Sequence, residues 1–232
     1  MSVIKIILMV LWTILCISTS LVVLLVTFSK KMPLVMARTL WSPGILFILS
    51  SRTIVTGLEN IDKSKTYVVM VNHSSYLDIP SLFRVLPLNL HFIAKKELKK
   101  VPFLGWYMMA TGMIFVNRGN GKEAKQSIVD AAGLIKDGKT VLIFPEGTVS
   151  ESGEIMKFKK GGFHLTRQSG VEILPVSLKG TNDIWPSHSN TSLKRGTIEI
   201  NIGKPIVTST CGVGDLNNLL EEVKVTIENL RG

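Results

Sequence analysis

The sequence predicts an α/β domain, a mixed sheet flanked by helices, joined to an N-terminal hydrophobic helical membrane anchor. Two observations carry that prediction. From residue 52 onward, short β-rich runs alternate with runs of helical period, the pattern of strands and helices layered around one core. Ahead of them, residues 6–28 form a stretch of 23 positions without a single charge. The division therefore falls after residue 51, with 1–51 as membrane-associated helices and 52–232 as the α/β domain. A chain of 232 residues is long enough to bury a core of its own without disulfide staples.

The uncharged stretch would be about 34 Å long as a helix at ~1.5 Å per residue, enough to cross a hydrocarbon core of ~30 Å. Lys30 and Lys31 close it and Arg38 follows, whereas only Lys5 precedes it. That asymmetry puts the C-terminal bulk on the cytoplasmic side of a cell membrane. A second apolar stretch, 34–49, carries Arg38 and is expected to break at Pro43-Gly44. It suits a helix lying in the interface with Trp41 at headgroup level. Residues 1–50 then form either one span plus an interfacial helix or two helices dipping into one leaflet.

Strands are expected at 66–71, 90–94, 113–117, 140–144, 172–178 and 197–202. Pro175 falls inside the fifth, which points to a bulge or an edge position there. Residues 122–136 read as an amphipathic helix with Ala124, Ile128, Ala131 and Ile135 on one face, and Gly138 stands where a C-cap glycine belongs. Asp215 can cap a last helix that turns Leu216, Leu219, Val223, Ile227 and Leu230 inward.

Lysine and arginine number 27 against 17 acidic residues, a net charge of +10. Such a balance favours anionic partners, and beside an apolar N-terminus it favours an anionic membrane surface over nucleic acid. The two cysteines, Cys16 and Cys211, form no metal-binding or disulfide pattern.

Four strand ends carry polar residues. After the first comes Asn72-His73-Ser74-Ser75-Tyr76-Leu77-Asp78. His73 and Asp78 are five apart and can meet only if the chain turns between them, as it does where a strand leads into a helix starting near Pro80. Singly they read as a loop histidine and a helix cap. Together they read as a general base oriented by a carboxylate. Such a pair needs either a nucleophilic side chain or an acyl group already activated; no G-x-S-x-G elbow stands in the chain, and a thioester donor would remove the need for one. Arg118 closes the strand 113–117 and Lys95 follows the strand 90–94, both placed to meet a phosphate. Phe144-Pro145-Glu146-Gly147-Thr148 ends the strand 140–144, and a basic cluster, Lys157, Lys159 and Lys160, comes next. In open α/β sheets, ligands gather at the carboxyl ends of strands. A rival reading rests on Gly119-Asn120-Gly121-Lys122-Glu123-Ala124, which fits a dinucleotide-binding fingerprint with Glu146 as the ribose acid of an oxidoreductase. A further one is a non-catalytic protein that uses its charge to bind anionic lipid.

Taken together, residues 72–176 resemble the lysophosphatidic acid acyltransferase family. Asn72–Asp78 looks like its N-H-x-x-x-x-D block, Gly112–Arg118 is similar to its G-x-I-F-I-x-R block, Phe144–Thr148 looks like F-P-E-G-T, and Leu174–Val176 resembles a last, proline-containing block. The resemblance implies acyl transfer from acyl-CoA or acyl-carrier protein to the 2-hydroxyl of lysophosphatidic acid, with no cofactor and no metal. His73 and Asp78 would be catalytic. Arg118, Glu146, Gly147, Thr148 and Lys95 would bind the acceptor. Sister acceptors are another lysolipid, glycerol-3-phosphate or an aminolipid. One position departs from the pattern: the arginine that commonly follows F-P-E-G-T is here Val149, so a lysine of the 157–160 cluster would have to substitute or the acceptor differs.

Overall fold

The protein is described from a computed structural model, which covers residues 2–116, 121–189, 192–208 and 216–232. Seven strands form one mixed sheet: β1 (Ser51–Thr56), β2 (Tyr67–Val71), β3 (Leu90–Lys95), β4 (Ile114–Val116), β5 (Thr140–Ile143), β6 (Glu172–Lys179) and β7 (Gly196–Ile202). Their order is β1-β7-β6-β2-β5-β3-β4, and only the β6–β7 pair is antiparallel. The first strand was not anticipated. Its burial merely alternates between half-buried and exposed, because it lies at the sheet edge and presents no large buried side chain.

Helices cover both faces, and β2 shows how one strand serves two cores. Tyr67, Val69 and Val71 belong to one apolar cluster, and Val68 and Met70 to the other. All five are buried, which explains the unbroken apolar run of a central parallel strand. The first face carries the N-terminal helices with α4 (Asp78–Val85) and α5 (Leu104–Ala110). The second carries α6 (Gly121–Lys136), α7 (Lys160–Ser169) and α9 (Leu216–Arg231), the short α8 (Thr181–Ile184) lying between β6 and β7 in the chain. Ala131 and Ile135 of α6 and Leu216, Leu219, Val223 and Ile227 of α9 point inward as their period requires, and Leu230 is half-buried. Gly138 has φ +93° and its N–H donates to Ile135, closing α6. Asp215 and Cys211 lie outside the described residues.

Pro175 sits in an interior strand, not at an edge, and its missing N–H is absorbed by a bulge. Between the pairs Ile173↔Ile206 and Val176↔Ile202, β6 has two residues and its partner has three, 203–205. The Pro175 ring packs so closely on Gly203 that a Cβ there would lie 2.9 Å from it.

At the N-terminus α1 (Ser2–Thr27) and the stretch Lys31–Leu49, which opens with α2 (Lys31–Met36), are both long and apolar enough to cross a membrane. They pair antiparallel. Trp12 Nε1 donates to Trp41 O, Trp41 Nε1 donates to Thr13 Oγ1, both at 3.0 Å, and Ser20 meets Met36 further along. The expected break at Pro43-Gly44 does not occur. The helix widens into a π turn at Ala37–Trp41, where Ser42 N–H reaches back five residues to Ala37 O, and α3 (Ser42–Leu49) continues with Pro43 in its first turn. A π turn placed there accommodates the hydrogen bond that proline cannot make. Gly44 is needed for close approach, since a Cβ would run into the Trp12 indole. Trp41 is not a headgroup anchor: its N–H is taken by Thr13 and its ring meets Phe83 edge-on. The pair is fastened to the sheet domain by Ser42 Oγ donating to Pro80 O and Tyr107 OH donating to Pro33 O.

Candidate active site

Because β2, β3, β4, β5 and β6 run parallel, their carboxyl ends share one edge of the sheet, and the polar residues singled out above stand at or after the ends of four of them. Asn72 leaves β2 and extends its pairing with β6 by side chain: Nδ2 donates to Leu178 O and Leu178 N–H donates to Oδ1, both at 2.8 Å. With the strand end fixed in this way, the chain turns through Ser74 and Ser75 into α4. Asp78 at the start of α4 is fully buried, and its Oδ2 accepts three hydrogen bonds, from Ser74 N–H (2.8 Å), Ser75 N–H (3.0 Å) and His73 Nδ1 (2.7 Å). A carboxylate can only accept, so it fixes Nδ1 as the protonated nitrogen and leaves Nε2 as the basic one. The turn that brings positions 73 and 78 together is thus held by the carboxylate that orients the histidine.

Phe144 backs the imidazole, its ring stacked at 3.8 Å and 14°. Ser150 N–H donates to His73 O at 2.7 Å. Glu146, expected to meet the acceptor, is 2 % exposed and both its oxygens are engaged: Oε1 accepts from His73 N–H at 2.8 Å and Oε2 from Met156 N–H at 3.0 Å. Burial pushes its carboxyl above the ordinary value, against the downward pull of those two amides. Glu146 therefore braces the histidine loop against the 150s loop.

His73 opens onto a cavity of about 800 Å³ that is apolar over most of its wall. Gly147, Thr148, Val149 and Lys95 line it together with Phe92, Leu142 and Met108. The wall is completed by Cys16, Ile17 and Ser20 of α1 and by Ala37 and Trp41 of its partner helix, so the helical pair is part of the site. Gly147 has φ +77°, and Lys159 folds over it: a Cβ on Gly147 would lie 2.8 Å from Lys159 Nζ. Lys159 is held there by its own N–H, which donates to Pro145 O at 2.8 Å. Arg118, two positions past Val116 in β4, lies outside the described residues, as do Gly119 and Asn120 of the dinucleotide fingerprint. The acid that fingerprint would use, Glu146, has neither oxygen available. Among the described residues no cluster of His, Cys, Asp and Glu could hold a metal ion.

Residues 52–179 match the family model described as Acyltransferase, more than half of the chain. The chain belongs to the acyltransferase family. Similar acyltransferases include the 1-acyl-sn-glycerol-3-phosphate acyltransferase of Saccharomyces cerevisiae, 38% identical over 73% of this chain and 56% of that protein. The Borreliella burgdorferi protein of the same description is 34% identical over 63% of this chain and 56% of its own length. The chain spans about half the length of the curated relatives it matches. It also superposes on the crystal structure of the 1-acyl-sn-glycerophosphate (LPA) acyltransferase from Thermotoga maritima with a TM-score of 0.82 and 29% identity, over 99% of this chain and 98% of that one. The N-terminal apolar pair is therefore part of the shared fold, and it is of the kind that associates with membranes.

Three functional features were not read from the sequence. The brace made by Glu146, the side-chain ladder of Asn72 and the contribution of α1 to the cavity all depend on contacts between segments far apart in the chain. Asn72 alone left a local trace, as a polar residue directly behind an all-apolar strand.

Proposed function

We propose that this protein transfers a fatty acyl group from acyl-CoA or acyl-carrier protein to the 2-hydroxyl of 1-acylglycerol-3-phosphate, giving phosphatidic acid for phospholipid synthesis. The observation that carries the reading is the His73–Asp78 pair opening onto a largely apolar cavity walled by the N-terminal helices. His73 Nε2 takes the proton of the acceptor hydroxyl as its oxygen attacks the thioester carbonyl. Asp78 steadies the imidazolium, which then returns the proton to the departing thiolate. No side chain needs to carry the acyl group, because the thioester is already activated. The acyl chain lies along the apolar body of the cavity, towards Cys16 and Ser20.

Arg118 and Lys95 hold the acceptor's phosphate, and Gly147 and Thr148 contribute to the cavity wall. Lys159 supplies the positive charge that the arginine at position 149 would otherwise bring, since its amine is already folded over Gly147. Glu146 acts on the reaction through the backbone of His73. The N-terminal pair sits in one leaflet as an antiparallel hairpin, with the catalytic domain on the cytoplasmic side of the cell membrane, whose anionic leaflet suits the net charge of +10. The test is thiol release from a long-chain acyl thioester with and without 1-acylglycerol-3-phosphate. Release from His73→Ala as fast as from the wild type would remove His73 from the mechanism.

A further inference from the structure

The segment between β3 and β4 has two faces. Leu98, Leu104, Tyr107 and Met108 line the cavity, and Tyr107 is hydrogen-bonded to Pro33 of the helical pair. The other face is turned to solvent and is apolar: Val101, Phe103, Trp106 and Met109 are all exposed, Trp106 by 52%. The Phe103 and Trp106 rings lie side by side, 5.3 Å between centroids. A soluble surface rarely gathers large apolar side chains in this way.

The backbone underneath is strained. Phe103 has φ +60° and ψ −59°, and Leu104 N–H donates to Pro102 O at 2.7 Å, which together make a γ-turn of the costly hand. A non-glycine residue is held in such a conformation only where its surroundings enforce it, and such positions gather at functional sites. Gly105 provides part of the enforcement. It is pressed on the preceding 3₁₀ turn so that a Cβ would contact Lys99 O and lie 2.7 Å from Leu98 O. The γ-turn carries the Phe103 ring on the solvent side of the segment.

Charge rims the patch. Lys95, Lys96, Lys99 and Lys100 stand against the single Glu97, and Lys99 Nζ lies 4.8 Å above the Phe115 ring. Paired aromatics edged by lysines suit the headgroup layer of an anionic leaflet, where the rings enter the acyl boundary and the amines stay with the phosphates. An acidic carrier protein would use the lysines but would leave the aromatic pair without a reason. The patch also adjoins, through α5, the apolar helices that associate with the membrane.

We infer that residues 99–109 form a second membrane-contact element, an aromatic wedge seated in an anionic leaflet beside the helical pair and on the flank of the cavity. The lipid surface would then meet the protein at two places with the cavity between them.

The test uses the full chain in vesicles containing anionic lipid brominated on its acyl chains. Trp106→Phe is compared with the wild type, so that the difference in fluorescence reports Trp106 alone, and activity in detergent micelles verifies that the variant is folded. The wild-type-minus-variant emission should be blue-shifted and strongly quenched by the brominated lipid, and the quenching should weaken when the vesicles carry no anionic lipid. Phe103→Gly relieves the γ-turn. It should retain or raise thermal stability while lowering turnover on vesicle-borne acceptor several-fold and leaving turnover in micelles unchanged. Equal quenching in wild type and Trp106→Phe would overturn the inference. So would a Trp106 emission that ignores vesicles and shifts on adding acyl-carrier protein, which would assign the face to that partner.

Discussion

Replacing Asp78 by Asn removes the charge at the centre of the site while keeping its hydrogen bonds geometrically possible. A single oxygen, Oδ2, accepts from His73 Nδ1, Ser74 N–H and Ser75 N–H. The carboxamide oxygen can take that place, so the tautomer of His73 and the turn both survive. The missing component is the negative charge opposite the imidazolium. At a separation near 4 Å and an effective dielectric near 20 it is worth about 4 kcal/mol, less the dipole that the amide retains. A net loss of about 3–4 kcal/mol at ~1.4 kcal/mol per decade lowers kcat about 10²–10³-fold. Stability falls for a separate reason. The amide nitrogen takes the place of Oδ1, which is buried and finds no hydrogen-bond partner among the described residues. A buried donor left unsatisfied costs about 1–3 kcal/mol. Steady-state thiol release read beside thermal unfolding separates the two effects: the variant should be folded, with KM values close to wild type and kcat low. A kcat within about threefold of wild type would show that the charge does not assist the proton transfer.

Lys159→Ala should raise the acceptor KM about tenfold and leave the donor KM alone, and Val149→Arg in that background should restore it. Equal effects on both substrates, or no rescue, would contradict the role given to Lys159. Asn72→Ala strips two hydrogen bonds from the β2–β6 junction and leaves a buried N–H and C=O of Leu178 unpaired, so unfolding in denaturant should show a loss of about 2–4 kcal/mol. Glu146 has a carboxyl raised by burial. Its neutral form therefore favours the fold below 4.5, and that contribution is lost as the pH rises through the folded value. Glu146→Gln should lack this slope, so the stability gap between wild type and variant narrows as the pH climbs from 4.5; a gap independent of pH would show that Glu146 does not titrate there. Gly44→Val drives a branched side chain into the Trp12 indole and should part the helical pair, lowering turnover on long-chain donors more than on short ones.

How much of this was legible in the sequence depends on how local the determinants are. The helix read at 122–136 and the six strands other than Ser51–Thr56 follow from the side chains of their own segments. The edge strand Ser51–Thr56 carries a weak period because nothing covers it fully. Pro175 announced a local irregularity correctly as a bulge, but its place in an interior strand depends on residues 203–205, which lie some thirty positions away. Pro43-Gly44 misled, because the π turn that absorbs the proline is set by helix packing and not by composition. In the site, the strand-to-helix turn allowed His73 and Asp78 to meet, but the same two residues also read as a loop histidine and a helix cap, and the hydrogen bond between them distinguishes the two readings. The duty of Glu146 was no more legible, since an acid behind a strand reads equally as a ligand contact or a buried brace. Only its two backbone partners, 73 and 10 positions distant, distinguish them.

The central claim is that His73 activates the acceptor hydroxyl for direct attack on a thioester. Thiol release from long-chain acyl-CoA and acyl-carrier protein, with and without 1-acylglycerol-3-phosphate, in wild type and His73→Ala, tests it most directly. The account predicts release that requires both the acceptor and His73, with phosphatidic acid formed in equal amount. Acceptor-dependent release undiminished in His73→Ala, or a stable acyl-enzyme formed before the acceptor is added, would contradict it.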